Sequence, residues 1–227
     1  MHKLNENILK SALRSKISYN NNYHICQKSQ KIFNHKYTGA RMYSWDSGPG
    51  SKIIAFRGTH DSRNLLKFFN NNMVEFNIRD NRVKIHPHIF NMFYSLEHDL
   101  TKYIMDDLNS NSNTSLTFCG HSGGGSCAML AAAYYGDLTG DFVKIKCHCF
   151  GSPKVGDANF IKWYSQNVDE SINVVNKHDV VPRLSFGAEF VNNPNPIILN
   201  DHDASAWEAH DLDTYIEKIF DNITSGC

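Results

Sequence analysis

Residues 118–130 read FCGHSGGGSCAML, a stretch in which Ser122 stands among a dense cluster of glycines. The apolar run before the glycines predicts a buried strand over 115–119, and the apolar run after them predicts a helix over 123–135. Each glycine raises the entropy that is lost on folding, so such a cluster indicates a turn that other residues could not make. The sequence therefore predicts a tight strand–turn–helix unit centred on Ser122.

The residues of this turn match the pattern G-x-S-x-G, which forms a nucleophile elbow when it lies between a strand and a helix. Gly120 and Gly124 leave room for the strained backbone of Ser122, and His121 completes the elbow. The serine hydroxyl then stands above the sheet at the helix N-terminus. There the backbone N–H of Gly123 would face an oxyanion that develops during acyl transfer.

Two other interpretations of the stretch stay open at this point. A phosphate-binding loop also joins a strand to a helix through glycines, but the stretch has no lysine and lacks the pattern G-x-x-x-x-G-K-[ST]. A glycine-rich turn without catalytic function is the second alternative. A pattern of five residues recurs by chance, so the rest of the chain has to decide between these interpretations.

A serine nucleophile needs a base, and the base needs an orienting carboxylate. In folds with this elbow the chain order is Ser, then Asp or Glu, then His. Asp179, in VVNKHDVVPRL (174–184), follows a strand predicted over 171–176 and falls at the sheet edge where functional groups gather. A turn or helix-cap aspartate is the alternative. We predict His210, at the start of the last predicted helix, as the base, with His202 in a polar loop as its rival.

Strands alternate with helices along the chain, which predicts an α/β fold with a mostly parallel sheet and helices on both faces. The N-terminal segment, 1–36, is predicted to be mainly helical over 4–33. The further predicted elements are strands at 37–45, 52–58 and 142–150, and helices at 62–69, 89–108, 157–166 and 210–220.

Length and composition restrict the class of protein. The 227 residues suit a single domain over 1–227, and 41% hydrophobic with 20% charged residues is typical of globular proteins. With 23 basic and 23 acidic residues the formal net charge is zero, which argues against a nucleic-acid partner. No apolar run matches a signal peptide or a membrane span, so we expect a cytoplasmic or otherwise intracellular protein.

The cysteines and histidines raise the questions of disulfides and metals. Cys119, Cys127 and the two cysteines of CHC (147–149) lie in apolar stretches, so we expect buried, reduced thiols. Neither CHC nor HPH (86–88) is expected to bind a metal, because we expect the side chains of an extended segment to diverge. We expect neither a metal nor a cofactor.

Several segments, in a fixed order along the chain, together resemble one protein family. They are IIAFRGT (53–59), the weaker IHPHIFNMF (85–93), CGHSGGG (119–125), FGSPKVGD (150–157), VVNKHDVVPRL (174–184) and HDLDTYI (210–216). In these segments the chain resembles the fungal-type (class 3) triacylglycerol lipases, a branch of the α/β-hydrolase fold. Several independent motifs in order are far more specific than an elbow alone.

The resemblance implies a role for each matching residue. It makes Ser122 the nucleophile, Asp179 the orienting acid and His210 the base. It assigns the oxyanion hole to the backbone N–H groups of Gly123 and Thr59, together with the Thr59 hydroxyl. It gives 150–157 a mainly structural role.

The resemblance also places an amphipathic lid over 60–76, whose lipid contacts would come from Leu65, Leu66, Phe68 and Phe69. A buried helix is the alternative for this apolar run. The implied substrate is a lipid or another ester, reached through transient contact with a membrane or lipid-droplet surface.

Three functions are compatible with these motifs. The first is hydrolysis of lipid esters, as an acylglycerol lipase or a phospholipase A1. The second is a feruloyl-type esterase for soluble esters, and the third is a catalytically inactive lipid-binding module. The candidate triad and the apolar lid segment favour the first. The chain departs from the family at Gly123, where leucine is usual.

Overall fold

The structure is a computed structural model that describes residues 4–20, 31–58, 72–110, 115–184, 187–200 and 205–225. Its strands are β1 (Lys31–Asn34), β2 (Arg41–Gly48), β3 (Ser51–Phe56), β4 (Val74–Ile78), β5 (Asn81–Ile85), β6 (Ser115–His121), β7 (Lys144–Phe150), β8 (Glu170–Asn176) and β9 (Pro196–Leu199). Its α-helices are α1 (Glu6–Ile17), α2 (Pro87–Ser110), α3 (Gly123–Thr139), α4 (Ala158–Asn167), α5 (Ala206–His210) and α6 (Leu212–Thr224).

One sheet of the described chain contains seven strands in the order β1-β2-β3-β6-β7-β8-β9. The strands from β3 to β9 in this order run parallel, whereas β1 and β2 are antiparallel at one edge. The carboxyl ends of the parallel strands therefore meet at one edge, where α/β folds place their ligands. The predicted α/β fold with a mostly parallel sheet is confirmed.

Helices cover both faces of this sheet. On one face α1 packs against α6, and Phe150 of β7 and Val174 of β8 contribute to the apolar cluster between them. On the other face α2, α3 and α4 enclose a larger cluster, which Cys149 joins. Phe150 and Cys149 lie on opposite faces because successive side chains of a strand alternate.

The central helix α3 holds the serine turn rigidly in this core. It is buried along almost its whole length, and Ala131, Ala132 and Ala133 are completely buried. A helix that is apolar all round is typical of a fully enclosed position. The first turn of α3 is therefore fixed by packing as well as by the local chain.

Most predicted elements are present with boundaries shifted by a few residues, but the helix predicted over 31–33 is wrong and three strands were not predicted. Lys31–Asn34 forms the edge strand β1, although the sequence predicted helix up to residue 33. The hairpin of β4 and β5 and the edge strand β9 were not predicted. β1 and β9 have only four residues each, which is too short for a clear alternating pattern.

Of the lid range 60–76, residues 60–71 lie outside the described residues, and 74–76 belong to β4.

The cysteines of the CHC segment do not diverge, so that part of the sequence argument is wrong. Cys147 and Cys149 are two positions apart on β7 and share a face, with their Sγ atoms 3.5 Å apart. His148 between them faces the other side, where it meets α1. Both thiols are buried and free, as are those of Cys119 and Cys127.

Within the described ranges, no helix combines the length and apolar character that crossing a membrane requires.

Candidate active site

Ser122 occupies the predicted turn between β6 and α3. Its backbone angles, φ 55° and ψ −134°, lie in a region that costs a residue with a side chain about 1–3 kcal/mol. Backbone hydrogen bonds hold this conformation, because Ser122 N–H donates to the Phe150 carbonyl at 2.9 Å and its own carbonyl accepts from Gly125 N–H at 2.9 Å. The strained turn presents the serine at the carboxyl edge of the sheet.

The glycines of the turn permit close contact between backbone segments. A Cβ atom on Gly120 would lie 2.3 Å from the Gly124 carbonyl carbon, and one on Gly124 would lie 2.3 Å from the Phe56 carbonyl oxygen. Both distances are shorter than real Cβ contacts. The first turn of α3 therefore rests directly on the ends of β6 and β3, as the elbow pattern requires.

A hydrogen-bonded chain links the serine to a histidine and an aspartate. Ser122 Oγ lies 3.0 Å from His210 Nε2, and His210 Nδ1 lies 2.8 Å from Asp179 Oδ2. An ionised carboxylate only accepts, so Nδ1 carries the imidazole proton and Nε2 is left to accept from the serine hydroxyl. The three side chains selected from the sequence thus meet in the order expected of a nucleophile, a base and an orienting acid.

Asp179 is completely buried and is held by three donors. Its Oδ2 accepts from the Tyr215 hydroxyl at 2.6 Å as well as from His210, and its Oδ1 accepts from Val181 N–H at 2.9 Å. The Tyr215 hydroxyl also accepts from Asn176 N–H at 3.0 Å. Burial, followed by the charge of Asp179, raises the pKa of Tyr215, so this hydroxyl remains a donor at any working pH.

Gly151, directly after β7, shapes the space in which acid and base meet. Its φ is +55°, and a Cβ there would lie 2.6 Å from Asp179 Oδ2 and 3.2 Å from His210 Nδ1. The segment 150–157, to which the sequence assigned a mainly structural role, therefore also provides clearance at the site itself.

His210 is the last residue of the short helix α5, so the prediction that it opens the final helix is wrong. A capping box between Ser205 and Glu208 starts α5, and Asp211 then caps α6 with its carboxylate. Asp211 has extended backbone angles, φ −66° and ψ 135°, which separate the two helices. The base thus lies at a helix–helix junction beside the sheet edge.

Several predicted residues lie outside the described residues: Thr59, His202, and the lid positions Leu65, Leu66, Phe68 and Phe69. Gly58, the residue before Thr59, is described and buried beside the elbow. A Cβ on Gly58 would lie 2.5 Å from the His121 carbonyl oxygen. The chain after β3 therefore leaves the sheet next to Ser122.

A second chain of serine, histidine and carboxylate lies between α1 and the sheet. Ser11 Oγ is 2.8 Å from His148 Nδ1, and His148 Nε2 is 3.1 Å from Glu170 Oε1. Ser11 and His148 are buried, whereas 31% of the Glu170 side chain is exposed. The hydrogen bond from His148 is the main cause that lowers the pKa of Glu170 from 4.5 to about 2.

Metal ligands do not converge in the described part of the chain: no group of three or more His, Cys, Asp or Glu side chains there could hold an ion. In the segment 86–88, His86 is fully buried and its Nδ1 accepts from His88 N–H at 3.2 Å. The histidine beside Asp179, His178, is exposed.

Sequence reasoning missed the residues that support the three site side chains. Tyr215 lies within the helix predicted over 210–220, among apolar residues, and no role was assigned to it, to Asn176 or to Tyr19. Their partners lie far away along the chain, so no local pattern reveals them. A polar atom on an otherwise apolar stripe, as in Tyr215, was the one available signal, since buried tyrosine hydroxyls need partners.

Comparisons with known proteins agree with this fold. The family described as "Lipase (class 3)" matches residues 53–189, more than half of the chain. Lipase ZK262.3 of Caenorhabditis elegans is 36% identical over 100 residues, which are 42% of this chain and only 28% of that protein.

Two solved structures show the same fold at low identity. The triacylglyceride lipase of Rhizomucor miehei has a TM-score of 0.70 at 19% identity, with 86% of this chain and 80% of that chain covered. A triacylglycerol lipase from Penicillium expansum has a TM-score of 0.72 at 11% identity, with 88% and 82% covered. The match to the family model over residues 53–189, which contain both the elbow segment and the acid segment, leads to one assignment: the chain belongs to the class 3 lipase family.

Proposed function

We propose that the protein is a serine hydrolase that cleaves the carboxylic esters of lipids through an acyl-enzyme. The observation that carries the proposal is the chain from Ser122 Oγ through His210 to Asp179, with distances of 3.0 and 2.8 Å. His210 lies beyond the residues that match the family, so its role rests on this geometry.

In the proposed reaction His210 Nε2 takes the Ser122 proton while Oγ attacks the ester carbonyl carbon. The carbonyl π electrons move to oxygen, and the oxyanion forms in front of the α3 N-terminus. When the intermediate collapses, the protonated His210 gives its proton to the leaving alcohol, and the acyl group remains on Ser122. Water, deprotonated by His210, then releases the carboxylic acid and restores the serine.

The proposed oxyanion hole consists of the backbone N–H groups of Gly123 and Thr59. Gly123 is the first residue of α3, where the helix dipole also favours negative charge. The position of Gly58 against the elbow supports the choice of Thr59, the next residue. One such donor is worth about 10²- to 10³-fold in turnover.

Lipid is the proposed substrate class, as acylglycerol or as the sn-1 ester of a phospholipid. The two fungal structures are triacylglycerol lipases, and the sequence LLKFF (65–69), with Leu65, Leu66, Phe68 and Phe69, has the apolar character expected of a lid in contact with lipid. Contact with a membrane or droplet surface would be transient.

The test is to treat the purified protein with a fluorophosphonate and to identify the modified peptide by mass spectrometry. Modification of Ser122 is expected, and none in Ser122→Ala. Activity is then measured on p-nitrophenyl esters of short and long acyl chains, on triacylglycerol emulsions and on phosphatidylcholine vesicles. A rise in rate above the solubility limit of the ester supports a lipase.

Three results of this test would contradict the proposal in different ways. Turnover of soluble esters alone would indicate an esterase. The absence of both modification and turnover would indicate an inactive binding module. Turnover by Ser122→Ala at the parent rate would remove Ser122 from the mechanism.

We also propose that the protein works in a reducing, intracellular compartment. The four described cysteines are free and buried, which supports this location. After purification without reductant and unfolding, all six cysteines of the chain should react with a thiol reagent. A lower number would indicate disulfides and an oxidising compartment.

A further inference from the structure

His121, the residue before the nucleophile, is turned away from the serine and towards the backbone of the base. Its Nε2 lies 2.8 Å from the His210 carbonyl oxygen. A carbonyl only accepts, so Nε2 carries a proton and donates it in this hydrogen bond. His121 is 6% exposed, so the bond is shielded from water. The same strand that presents Ser122 therefore also holds the peptide group of His210.

The other ring nitrogen of His121 meets a residue from the N-terminal part of the chain. Nδ1 lies 3.0 Å from the Tyr19 hydroxyl, and with the proton on Nε2 this nitrogen accepts from the tyrosine. Both nitrogens of a neutral imidazole are thus satisfied. Burial is the main cause that holds the pKa of His121 well below its usual range, and the nearby His210 is the second cause.

The neutral state of His121 matters because its ring centroid lies only 4.7 Å from that of His210. A positive charge at this distance would oppose the imidazolium that the proposed reaction forms on His210. The His210 carbonyl requires the proton on Nε2, and the Tyr19 hydroxyl, by donating to Nδ1, stabilises the tautomer of His121 that this bond needs.

The backbone around His210 needs such support because it forms the junction of two helices. Asn176, at the end of β8, donates from Nδ2 to the Ala209 carbonyl at 2.7 Å. Two consecutive carbonyl groups, of Ala209 and His210, are therefore held by side chains from the ends of two parallel strands. The direction of the His210 imidazole follows from the position of its peptide group.

Tyr19 reaches the site because α1 is attached firmly to the sheet. Ser11 of this helix contacts His148 in β7, and α1 also packs against α6. Tyr19 follows the end of α1 by two residues, and its hydroxyl lies against Gly58, where a Cβ would be 2.0 Å away.

We propose that Tyr19 and His121 are positioning residues, which through the His210 carbonyl fix the imidazole of the base against Ser122. This inference deepens the proposed function and rests on it. Tyr19 stabilises the tautomer of His121 that donates to the His210 carbonyl, His121 anchors the backbone of His210, and neither residue acts on the substrate directly.

The experiment compares His121→Leu, His121→Gln and Tyr19→Phe with the parent. A glutamine can place an amide N–H near the original Nε2 and so preserve the donor, whereas a leucine cannot. His98→Leu and Tyr37→Phe are the matched controls, because both parent residues are exposed and Tyr37 is 90% exposed. Thermal unfolding of each variant is measured alongside.

We expect kcat on a soluble p-nitrophenyl ester to fall about 10- to 100-fold in His121→Leu, with KM nearly unchanged, because a misplaced base slows the chemical step. His121→Gln should recover most of this loss, and Tyr19→Phe should lose about three- to tenfold. The rate of fluorophosphonate modification should follow kcat, and the two controls should match the parent.

An NMR measurement separates this proposal from the proposed function. The proton between His210 Nδ1 and Asp179 gives a downfield resonance that needs no substrate. Its shift or broadening in His121→Leu and Tyr19→Phe, but not in the controls, would support the positioning role even if no ester is hydrolysed. An unchanged resonance together with unchanged kcat in folded variants would overturn it. If His121→Leu does not fold, the same measurements on Tyr19→Phe decide.

Discussion

The described residues include two hydrogen-bonded chains of serine, histidine and carboxylate, which have similar interatomic distances but different surroundings. One joins Ser122 to His210 and Asp179 at the carboxyl edge of the sheet. The other joins Ser11 to His148 and Glu170 beneath α1, with Glu170 at the first position of β8. Interatomic distances do not separate the two chains, since both fall in the range of ordinary hydrogen bonds.

The backbone of the serine is the first difference. Ser122 has strained angles at the very start of α3, where unpaired N–H groups can face a negative charge. Ser11 lies inside α1, where the helix uses its backbone N–H groups for its own hydrogen bonds. Of these two serines, only Ser122 lies at a helix start whose N–H groups are available to an oxyanion.

The carboxylate is the second difference. Asp179 is fully buried and bound by three donors, whereas Glu170 is partly exposed and also pairs with Lys146. A fixed, buried carboxylate can hold the imidazole in one tautomer and stabilise its charged form. The two chains therefore differ in the backbone strain and burial around their three residues, and on the proposed function these differences decide which of them is catalytic.

Replacing each histidine by glutamine is the most direct test of the difference between the two chains. His210→Gln should lower kcat by about 10⁴- to 10⁶-fold, because the base is lost. His148→Gln should leave kcat within about threefold and lower the free energy of unfolding by about 1–3 kcal/mol through lost buried hydrogen bonds. Ester turnover and urea unfolding measure both effects. Comparable losses of kcat in the two variants, at intact folding, would contradict the distinction.

Gly151→Ala tests the space around the acid and the base. The new methyl group would collide with Asp179 Oδ2, so kcat should fall by about 10²-fold through displacement of the His210 hydrogen bond. Gly140→Ala is the matched control, because Gly140 has φ +56° but no atom within 4 Å of the Cβ position. It should show the backbone strain, about 1–2 kcal/mol in urea unfolding, without loss of activity. Equal kcat in both variants would contradict the steric argument.

Tyr215→Phe tests the donor that fixes Asp179. Loss of the 2.6 Å hydrogen bond should lower kcat about tenfold and the free energy of unfolding by about 1–2 kcal/mol. Tyr135→Phe is the control, because its buried hydroxyl contacts Thr101 Oγ1 at 2.9 Å, away from the site. That variant should lose stability at unchanged kcat. An active Tyr215→Phe protein with parent kinetics would limit Tyr215 to a structural role.

Glu170→Gln should have the smallest effect, confined to stability. The pKa of Glu170 is lowered in the folded protein to about 2, so its ionised form adds stability above about pH 4.5, and this contribution disappears as pH falls towards 2. The variant should therefore be about 1 kcal/mol less stable near neutral pH, and this difference should shrink below about pH 4.5. Urea unfolding across this pH range measures it. A difference that grows at low pH would contradict the assignment, and kcat should not change.

Much of the site could be predicted from the sequence because its key turn is local. The spacing of Gly120, Ser122 and Gly124 between a strand and a helix specifies a backbone conformation within one short segment. Asp179 was identifiable because it follows a clear strand at the carboxyl edge. His210 was chosen as the base, and it does meet Asp179. Its predicted place at the start of the last helix was wrong. A capping box and a single extended residue, Asp211, create a helix–helix junction that the apolar pattern did not reveal.

The edge strand β1 is an element that the sequence did not predict correctly. Four mostly exposed residues pair with β2 and were predicted as helix, because a short strand takes its stability from a neighbour and not from its own pattern. The prediction that the two cysteines of CHC diverge was wrong, because residues two apart on a strand share a face.

The sequence by itself determined the strained serine turn and the α/β order of elements, because these depend on local glycine chemistry and on hydrophobic periodicity. It also singled out Asp179 and His210, from their place in the chain order and from the resemblance, as the side chains that meet Ser122. Only the tertiary structure decided what holds them: Tyr215 on Asp179, Gly151 beneath the acid and base, and His121 with Tyr19 behind His210. The hydrogen bonds among these contacts join residues 36 to 102 positions apart. Their geometry exists only once the sheet and both helical layers are packed. The same packing gave two similar sets of side chains different environments, and it placed the strained serine, the helix N-terminus and the fully buried carboxylate together in one of them.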